Sequence, residues 1–135
     1  MKRPHIQVSC AIIEKNGLVL AVQRSALMKL PLKWEFPGGK IEPGETAEEC
    51  LKRELMEELG VIVDIKGCLG FHTHSYPEFT VTLHPFICAI LSGEIILHEH
   101  AAAEWLPSES LCSLDWAEAD LPVIDGYLLL SSCGN

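Results

Sequence analysis

The spacing of apolar residues predicts several strands in the first part of the chain. Apolar side chains occupy every second position from Ile6 to Ile12, which is typical of a half-buried strand. Asn16-Gly17 is a strong hairpin signal, and the partner strand should run over residues 18–23. Four further runs predict strands later in the chain, at residues 61–65, 69–74, 79–91 and 94–98.

Two helical regions interrupt the strands. Thr46 followed by Glu49 forms a capping-box pair and Gly60 is a typical stop, so the first helix should span residues 47–59. Pro107-Ser108-Glu109 should open a short helical turn, and residues 121–130 should form a C-terminal helix with Pro122 in its first turn. Strands mixed with helices in this way favour a mixed sheet sandwiched between helices.

One face of the first helix is apolar and the neighbouring face is acidic. The apolar stripe recurs every four residues and consists of Ala47, Leu51, Leu55 and Leu59. Glu54, Glu57 and Glu58 stand at i, i+3 and i+4, so their carboxylates meet and repel one another. Arg53 should offset part of this repulsion through Glu49 and Glu57 at four-residue spacing. The acids could be a plain solvated face, or a cluster of hard oxygen ligands that suits Mg²⁺ or Mn²⁺.

A glycine-rich segment precedes the helix. It reads Phe36-Pro37-Gly38-Gly39-Lys40, and two glycines after a proline allow backbone close to a ligand and φ angles closed to other residues. Alone, the segment could be a plain turn. The spacing between this segment and Arg53-Glu54 disfavours both a plain turn and a plain solvated acidic face, because the glycines and the acids then belong to one motif.

That motif resembles the Nudix box. Residues 39–61 read GKIEPGETAEECLKRELMEELGV, which fits the spacing G-x5-E-x7-R-E-U-x-E-E-x-G-U with U apolar. A chance match in a chain of this length is expected about once in 10⁷. The resemblance implies a Nudix hydrolase with the Nudix fold, an α/β/α sandwich with a mixed β-sheet, in one domain over residues 1–135. Segments outside the box are similar to MutT-type nucleoside triphosphate pyrophosphohydrolases and the allied CTP pyrophosphohydrolases, namely residues 34–42, 81–83, 104–106 and 120–124.

The resemblance implies a metal site that uses Mg²⁺, with Mn²⁺ as a substitute. The expected ligands are the Gly39 carbonyl and the side chains of Glu54, Glu57, Glu58 and Glu99. Glu99 is included because it lies six residues before Trp105, where the MutT group carries an acidic residue. Arg53 should orient the catalytic carboxylates, Glu45 should hold loop and helix together, and either Glu54 or Glu99 should take a proton from water. An exposed loop acid is the alternative for Glu99.

The resemblance also implies the residues that contact the nucleotide. Arg24 ends the strand before the glycine loop, and its match in MutT-like enzymes contacts the nucleotide, although a strand-end arginine is often solvated. Asp120 stands where the group places an Asn or Asp against the base, and it could instead cap the last helix. The expected substrate-binding residues are Arg24, Phe36, Gly38, Lys40, Phe79 and Asp120. Phe36 and Phe79 could equally be core residues.

Composition limits the other classes of function. A formal charge of −9 over 135 residues argues against direct nucleic-acid binding, and bound divalent cations explain how so acidic a chain would hold phosphate. The six cysteines include no C-x-x-C, so we expect small core residues in a reducing cytoplasm rather than zinc ligands. His98 and His100 lack a third ligand for zinc. The first residues do not form a signal peptide, and no stretch is long enough to span a bilayer.

The resemblance to the MutT group implies hydrolysis of a nucleoside triphosphate to a monophosphate and pyrophosphate. The substrate should be 8-oxo-dGTP, as in nucleotide-pool sanitation, or CTP, dCTP or modified dCTP, and the sequence leaves this choice open. The alternatives are another Nudix substrate (ADP-ribose, NADH, coenzyme A or dinucleoside polyphosphates), a Nudix module that binds nucleotide without hydrolysis, and a structural acidic domain. Monomer and homodimer are both compatible with the sequence.

Overall fold

A computed structural model describes residues 3–133, with side chains described as far as residue 130. Within this part of the chain, eight strands and two α-helices are joined by loops and two 3₁₀ helices. The strands are β1 His5–Lys15, β2 Leu18–Gln23, β3 Trp34–Glu35, β4 Gly38–Lys40, β5 Ile62–Cys68, β6 His72–Ser75, β7 Thr80–Ser92 and β8 Ala102–Pro107. The helices are α1 Ala47–Leu59 and α2 Leu121–Cys133, and the 3₁₀ helices are Ser108–Ser113 and Glu118–Asp120.

All eight strands belong to one mixed sheet. Its main order is β3-β2-β1-β7-β5, with β8 on β2, β4 on β1 and β6 on β7. β1 and β7 pair in parallel over ten residues, and the other pairs are antiparallel. The predicted mixed sheet is confirmed, and the parallel pair at its centre requires both faces to be covered.

Each face of the sheet carries its own apolar core. Because side chains alternate along a strand, Ile12 of β1 packs in one cluster and its neighbours Ala11 and Ile13 pack in the other. The first cluster includes α2 through Val123, Ile124 and Tyr127. The second includes the predicted stripe of α1, with Leu51, Leu55 and Leu59 fully buried. The predicted α/β/α sandwich is therefore confirmed.

The ends of α1 are fixed by the residues that predict them. The Thr46 hydroxyl accepts from the backbone N–H of Glu49, and the Glu49 carboxylate accepts from the N–H of Thr46. Gly60 ends the helix in the left-handed region at φ 72° and donates to the carbonyls of Leu55 and Met56. The helix bounds predicted from sequence are confirmed, which fixes the register of the acidic face.

The predicted strand at residues 94–98 is wrong. The Ile96 N–H donates to the Leu59 carbonyl at 2.9 Å, while Ile95 and Leu97 pack against the α1 core. This segment therefore covers the C-terminal end of α1 and does not extend the sheet. β8, which the sequence pattern did not predict, begins at Ala102 after the loop of residues 99–101 and pairs with β2. No helix among residues 3–133 is long and apolar enough to cross a membrane.

Candidate active site

The glycine loop is part of the sheet and packs against α1. β4 pairs antiparallel with β1, which places Gly39 opposite Ser9 and Gly38 opposite Cys10. A Cβ on Gly38 would lie 2.7 Å from the Cys10 Cα and closer still to the Ser9 carbonyl. A Cβ on Gly39 would overlap the Glu54 side chain, with Cγ at 2.6 Å. Neither glycine has a positive φ, so the expectation of unusual backbone angles is wrong, and close packing is what requires glycine here.

Arg53 binds the loop and the acids of the helix together. Its Nε and Nη2 donate to the two oxygens of Glu45 at 2.7 and 2.9 Å. Its Nη1 donates to Glu54 at 2.8 Å and to Glu57 at 3.2 Å, and its Nη2 donates to the Lys40 carbonyl at 3.3 Å. The hydrogen bonds from Arg53 lower the pKa of Glu45 to about 2. The expected pairing with Glu49 does not form, because that carboxylate caps the helix instead.

The acid cluster fits a divalent cation by the chemistry of its donors. Glu58 Oε2 is buried without a hydrogen-bond partner among the described residues, and a bound cation would compensate such an oxygen. Burial raises the pKa of Glu58, and Glu99 raises it further. Burial also raises the pKa of Glu54, against the lowering effect of Arg53. Among the side chains described up to residue 130, no three acidic, histidine or cysteine groups converge as ligands, and Arg53 bridges Glu54 and Glu57.

Glu99 lies in the bend before β8, on the same side of the molecule as the Glu58 carboxyl. It is exposed, and its charge is the second largest influence on the pKa of Glu58. His98 is also exposed, whereas the His100 side chain is only 5% exposed and its Nε2 lies 2.9 Å from Glu35 Oε2. The two histidines therefore do not face a common point as zinc ligands would.

The residues expected to contact substrate line one cavity of about 320 Å³. Its size lies at the lower end of the range for small-molecule sites. The expected substrate-binding residues that line it are Arg24, Phe36, Gly38, Lys40, Phe79 and Asp120, together with the predicted metal ligand Gly39. The glycine loop therefore borders both this cavity and Glu54 of the acid cluster.

Asp120 is a buried carboxyl in the wall of this cavity. It is 5% exposed, and its Oδ2 accepts from the Phe36 N–H at 2.8 Å. This hydrogen bond connects Asp120 to the glycine loop, so the carboxylate contacts the loop instead of capping α2. Burial raises the pKa of Asp120 well above its ordinary range, and the nearby Glu35 carboxylate adds to the effect.

The cavity also contains residues that sequence reasoning missed. Lys29 lies in the irregular segment between β2 and β3, and its Nζ is 5.1 Å from the centre of the Phe79 ring. Tyr76 stacks on the Phe79 ring at a centroid distance of 4.9 Å. Glu35 accepts from Arg24 Nη1 at 2.8 Å. A lone lysine in a loop carries no sequence signal, but Glu35 lies within residues 34–42, one of the segments that are similar to MutT-type enzymes.

Comparison with known proteins agrees with this geometry. The family model of the NUDIX domain matches residues 3–127. The CTP pyrophosphohydrolase of Escherichia coli K12 is 34% identical over 125 residues, covering 93% of each chain. The 8-oxo-dGTP diphosphatase of the same organism is 32% identical over 120 residues, covering 88% of this chain and 93% of its own.

Solved structures have the same fold. The solution structure of the E. coli ORF135 protein has a TM-score of 0.83 at 32% identity, over 97% of this chain and 94% of that one. The crystal structure of the MutT protein from Methanosarcina mazei Go1 has a TM-score of 0.85 at 23% identity, over 100% of this chain and 99% of that one. The second similarity concerns the fold alone.

Proposed function

Since the chain belongs to the Nudix hydrolase family, we propose that it hydrolyses a nucleoside triphosphate to the monophosphate and pyrophosphate. CTP and 8-oxo-dGTP, the compounds in the names of its relatives, are the two substrates we assign to it. The observation that carries the proposal is the position of the glycine loop. This loop borders the cavity that contains Asp120 and also packs against Glu54, so base and phosphate groups have adjoining sites.

Nudix hydrolases use a divalent metal, and we propose Mg²⁺ for this chain, with Mn²⁺ as a substitute. Its ligands would be the Gly39 carbonyl, Glu54, Glu57, Glu58 and Glu99. When bound, the ion neutralises phosphate charge and lowers the pKa of a water molecule. The unpartnered Glu58 oxygen supports this assignment, as does a donor set made only of oxygens.

Two side chains have separate roles in the proposed reaction: Arg53 orients the carboxylates, and Glu54 accepts a proton from water. Arg53 fixes the Glu54 and Glu57 carboxylates through one nitrogen, Nη1. Glu54 is our candidate to accept a proton from the attacking water, because it packs against the loop that borders the cavity while Glu99 is exposed. Arg24, Lys29 and Lys40 bring positive charge to the cavity wall, which suits a phosphate chain in an otherwise acidic protein.

Asp120 would select the base as a hydrogen-bond donor. One of its oxygens already accepts from Phe36, and burial favours the protonated carboxyl, so the other oxygen is the one that would carry a proton. A carboxyl O–H can donate to N3 of cytosine or to the 6-carbonyl of 8-oxoguanine. The bases of CTP and 8-oxo-dGTP could therefore both accept a hydrogen bond from Asp120, and their triphosphates would use the same phosphate-binding residues.

A substrate panel tests the proposal. The protein is incubated with Mg²⁺, with Mn²⁺ or with EDTA, and with CTP, dCTP, 5-methyl-dCTP, dGTP, 8-oxo-dGTP, ADP-ribose, NADH and diadenosine tetraphosphate. We expect pyrophosphate release that requires metal and a kcat/KM highest for a cytidine or an 8-oxoguanine nucleotide. Hydrolysis confined to ADP-ribose, NADH or the dinucleotide would replace our assignment with another Nudix activity. Nucleotide binding without turnover would indicate a non-catalytic module.

The cytoplasmic location, the absence of direct nucleic-acid binding and the choice between monomer and homodimer remain predictions.

A further inference from the structure

His100 is a buried histidine that neither the predicted motif nor the proposed chemistry uses. Its side chain is 5% exposed, and its Nε2 lies 2.9 Å from Glu35 Oε2. A carboxylate can only accept, so Nε2 carries the proton in this contact. The other ring nitrogen, Nδ1, is buried without a hydrogen-bond partner among the described residues. The Nε2 contact is therefore the interaction that orients the ring.

Glu35 connects His100 to the wall of the cavity. Its second oxygen accepts from Arg24 Nη1 at 2.8 Å, and Arg24 Nε donates to the Lys29 carbonyl. Arg24, Lys29 and Glu35 line the cavity, whereas His100 does not. Glu35 is thus the cavity-lining residue through which the His100 side chain reaches the wall.

The sheet explains why the loop before β8 reaches Glu35. The Ala101 N–H donates to the Gln23 carbonyl at 2.8 Å, and β8 then pairs with β2 from Ala102 onward. β2 pairs on its other edge with β3, where Glu35 lies opposite Val22. His100 therefore connects β8 to β3 across the end of β2. Because the Ala101 hydrogen bond and the β8 ladder hold the loop by themselves, loss of the His100 contact should loosen the cavity wall and leave the loop in place.

We propose that His100 is a positioning residue that holds Glu35, and through it Arg24, in the orientation that binds the nucleotide. This inference rests on the proposed function, because it assigns the Arg24–Glu35 wall to nucleotide binding. Its consequence is specific: His100 should affect KM and the affinity for the product monophosphate, while kcat stays within about twofold of the wild type.

Two amide substitutions separate the two ring nitrogens. A glutamine amide nitrogen takes roughly the place of Nε2, whereas the shorter asparagine reaches only the place of Nδ1. We expect H100N to raise KM about tenfold, which is the effect of losing one charge-assisted hydrogen bond. H100Q should keep this hydrogen bond, so its KM should lie close to that of the wild type. The matched control is H98N, at the exposed histidine on the other side of Glu99, which should leave KM and kcat unchanged.

A double-mutant cycle tests the route through Glu35. E35A alone should raise KM, and adding H100N to E35A should raise it no further, because the acceptor of the His100 contact is already absent. Calorimetric titration with the nucleoside monophosphate product, which needs no turnover, should show the same pattern in Kd. Additive effects of the two substitutions would overturn the route through Glu35. A fall in kcat with unchanged KM in H100N would overturn the positioning role.

Failure of the inference can be told from failure of the proposed function. A wild type that hydrolyses triphosphates while H100N behaves like H98N leaves the function intact and removes His100 from it. A wild type that neither hydrolyses nor binds any nucleotide removes both. If H100N does not fold, histidine ¹⁵N NMR of the wild type decides, since an unprotonated Nε2 at pH 8 is incompatible with donation to Glu35.

Discussion

Replacing Gly39 with alanine should abolish most of the activity while leaving the fold intact. The new Cβ would lie 2.6 Å from Glu54 Cγ, where ordinary contacts begin at 3.4 Å, so the side chain must move by about 0.8 Å. The Glu54 carboxylate atoms lie closer still and must move farther than Cγ. The atoms that would clash belong to a flexible side chain, and Gly39 has no positive φ, so the backbone can stay in place.

The size of the effect follows from how precisely catalytic groups must be placed. A misplacement of about 1 Å costs roughly 10²-fold in rate, so we expect kcat of G39A to fall by about two orders of magnitude. Release of pyrophosphate from CTP or 8-oxo-dGTP under saturating Mg²⁺ measures kcat, and urea denaturation measures the fold. Two controls bracket the variant. G67A places a Cβ in open space on β5 and should be neutral, whereas G38A overlaps the backbone of β1 and should lower stability.

A folded G39A that keeps more than about a third of wild-type kcat would refute this reasoning. Such a result would mean that the Glu54 carboxylate tolerates displacement, and Glu54 could then not be the group that takes the proton. A G39A protein that fails to fold would instead show that the Glu54 side chain cannot move, because Arg53 holds it at 2.8 Å.

Three further predictions concern Glu57, Asp120 and the close packing at Gly93. E57Q should keep less than about a tenth of wild-type turnover with normal circular dichroism, because the exposed Glu57 is a proposed metal ligand and not a core residue; higher turnover would remove it from the proposed ligand set. The raised pKa of Asp120 means that its contribution to stability is present below its ordinary value of 3.8 and is lost as pH rises through the folded-state pKa. D120N does not ionise, so its unfolding free energy relative to the wild type should be higher at pH 8 than at pH 4, and urea titrations with equal differences at both would contradict this. G93A should lose about 1–2 kcal/mol more stability than G44A. Both glycines have a positive φ, but only a Cβ on Gly93 would meet backbone atoms, with Val61 Cα at 3.1 Å. Equal losses in the two variants would exclude this clash.

The sequence determined the parts of this protein that depend on local interactions. Thr46, Glu49 and Gly60 fix the ends of α1, and the fixed ends set which residues share a face. The register of Glu54, Glu57 and Glu58 on the helix, and of the whole Nudix box, could therefore be predicted without coordinates. The alternation along β1 likewise predicted the strand, because period-two spacing is a property of any extended chain, whereas its central place in the sheet is seen only in the structure.

The tertiary structure decided what lies close together when residues are distant in sequence. Arg53 bonds to Glu45 on the loop and not to Glu49 on its own helix, because Glu49 is already bound to the cap. Asp120 bonds to Phe36 rather than capping α2, and residues 94–98 cover α1 rather than pairing as a strand. His100 and Glu35 meet only because β8 and β3 flank the same strand, a consequence of sheet order that no local pattern encodes.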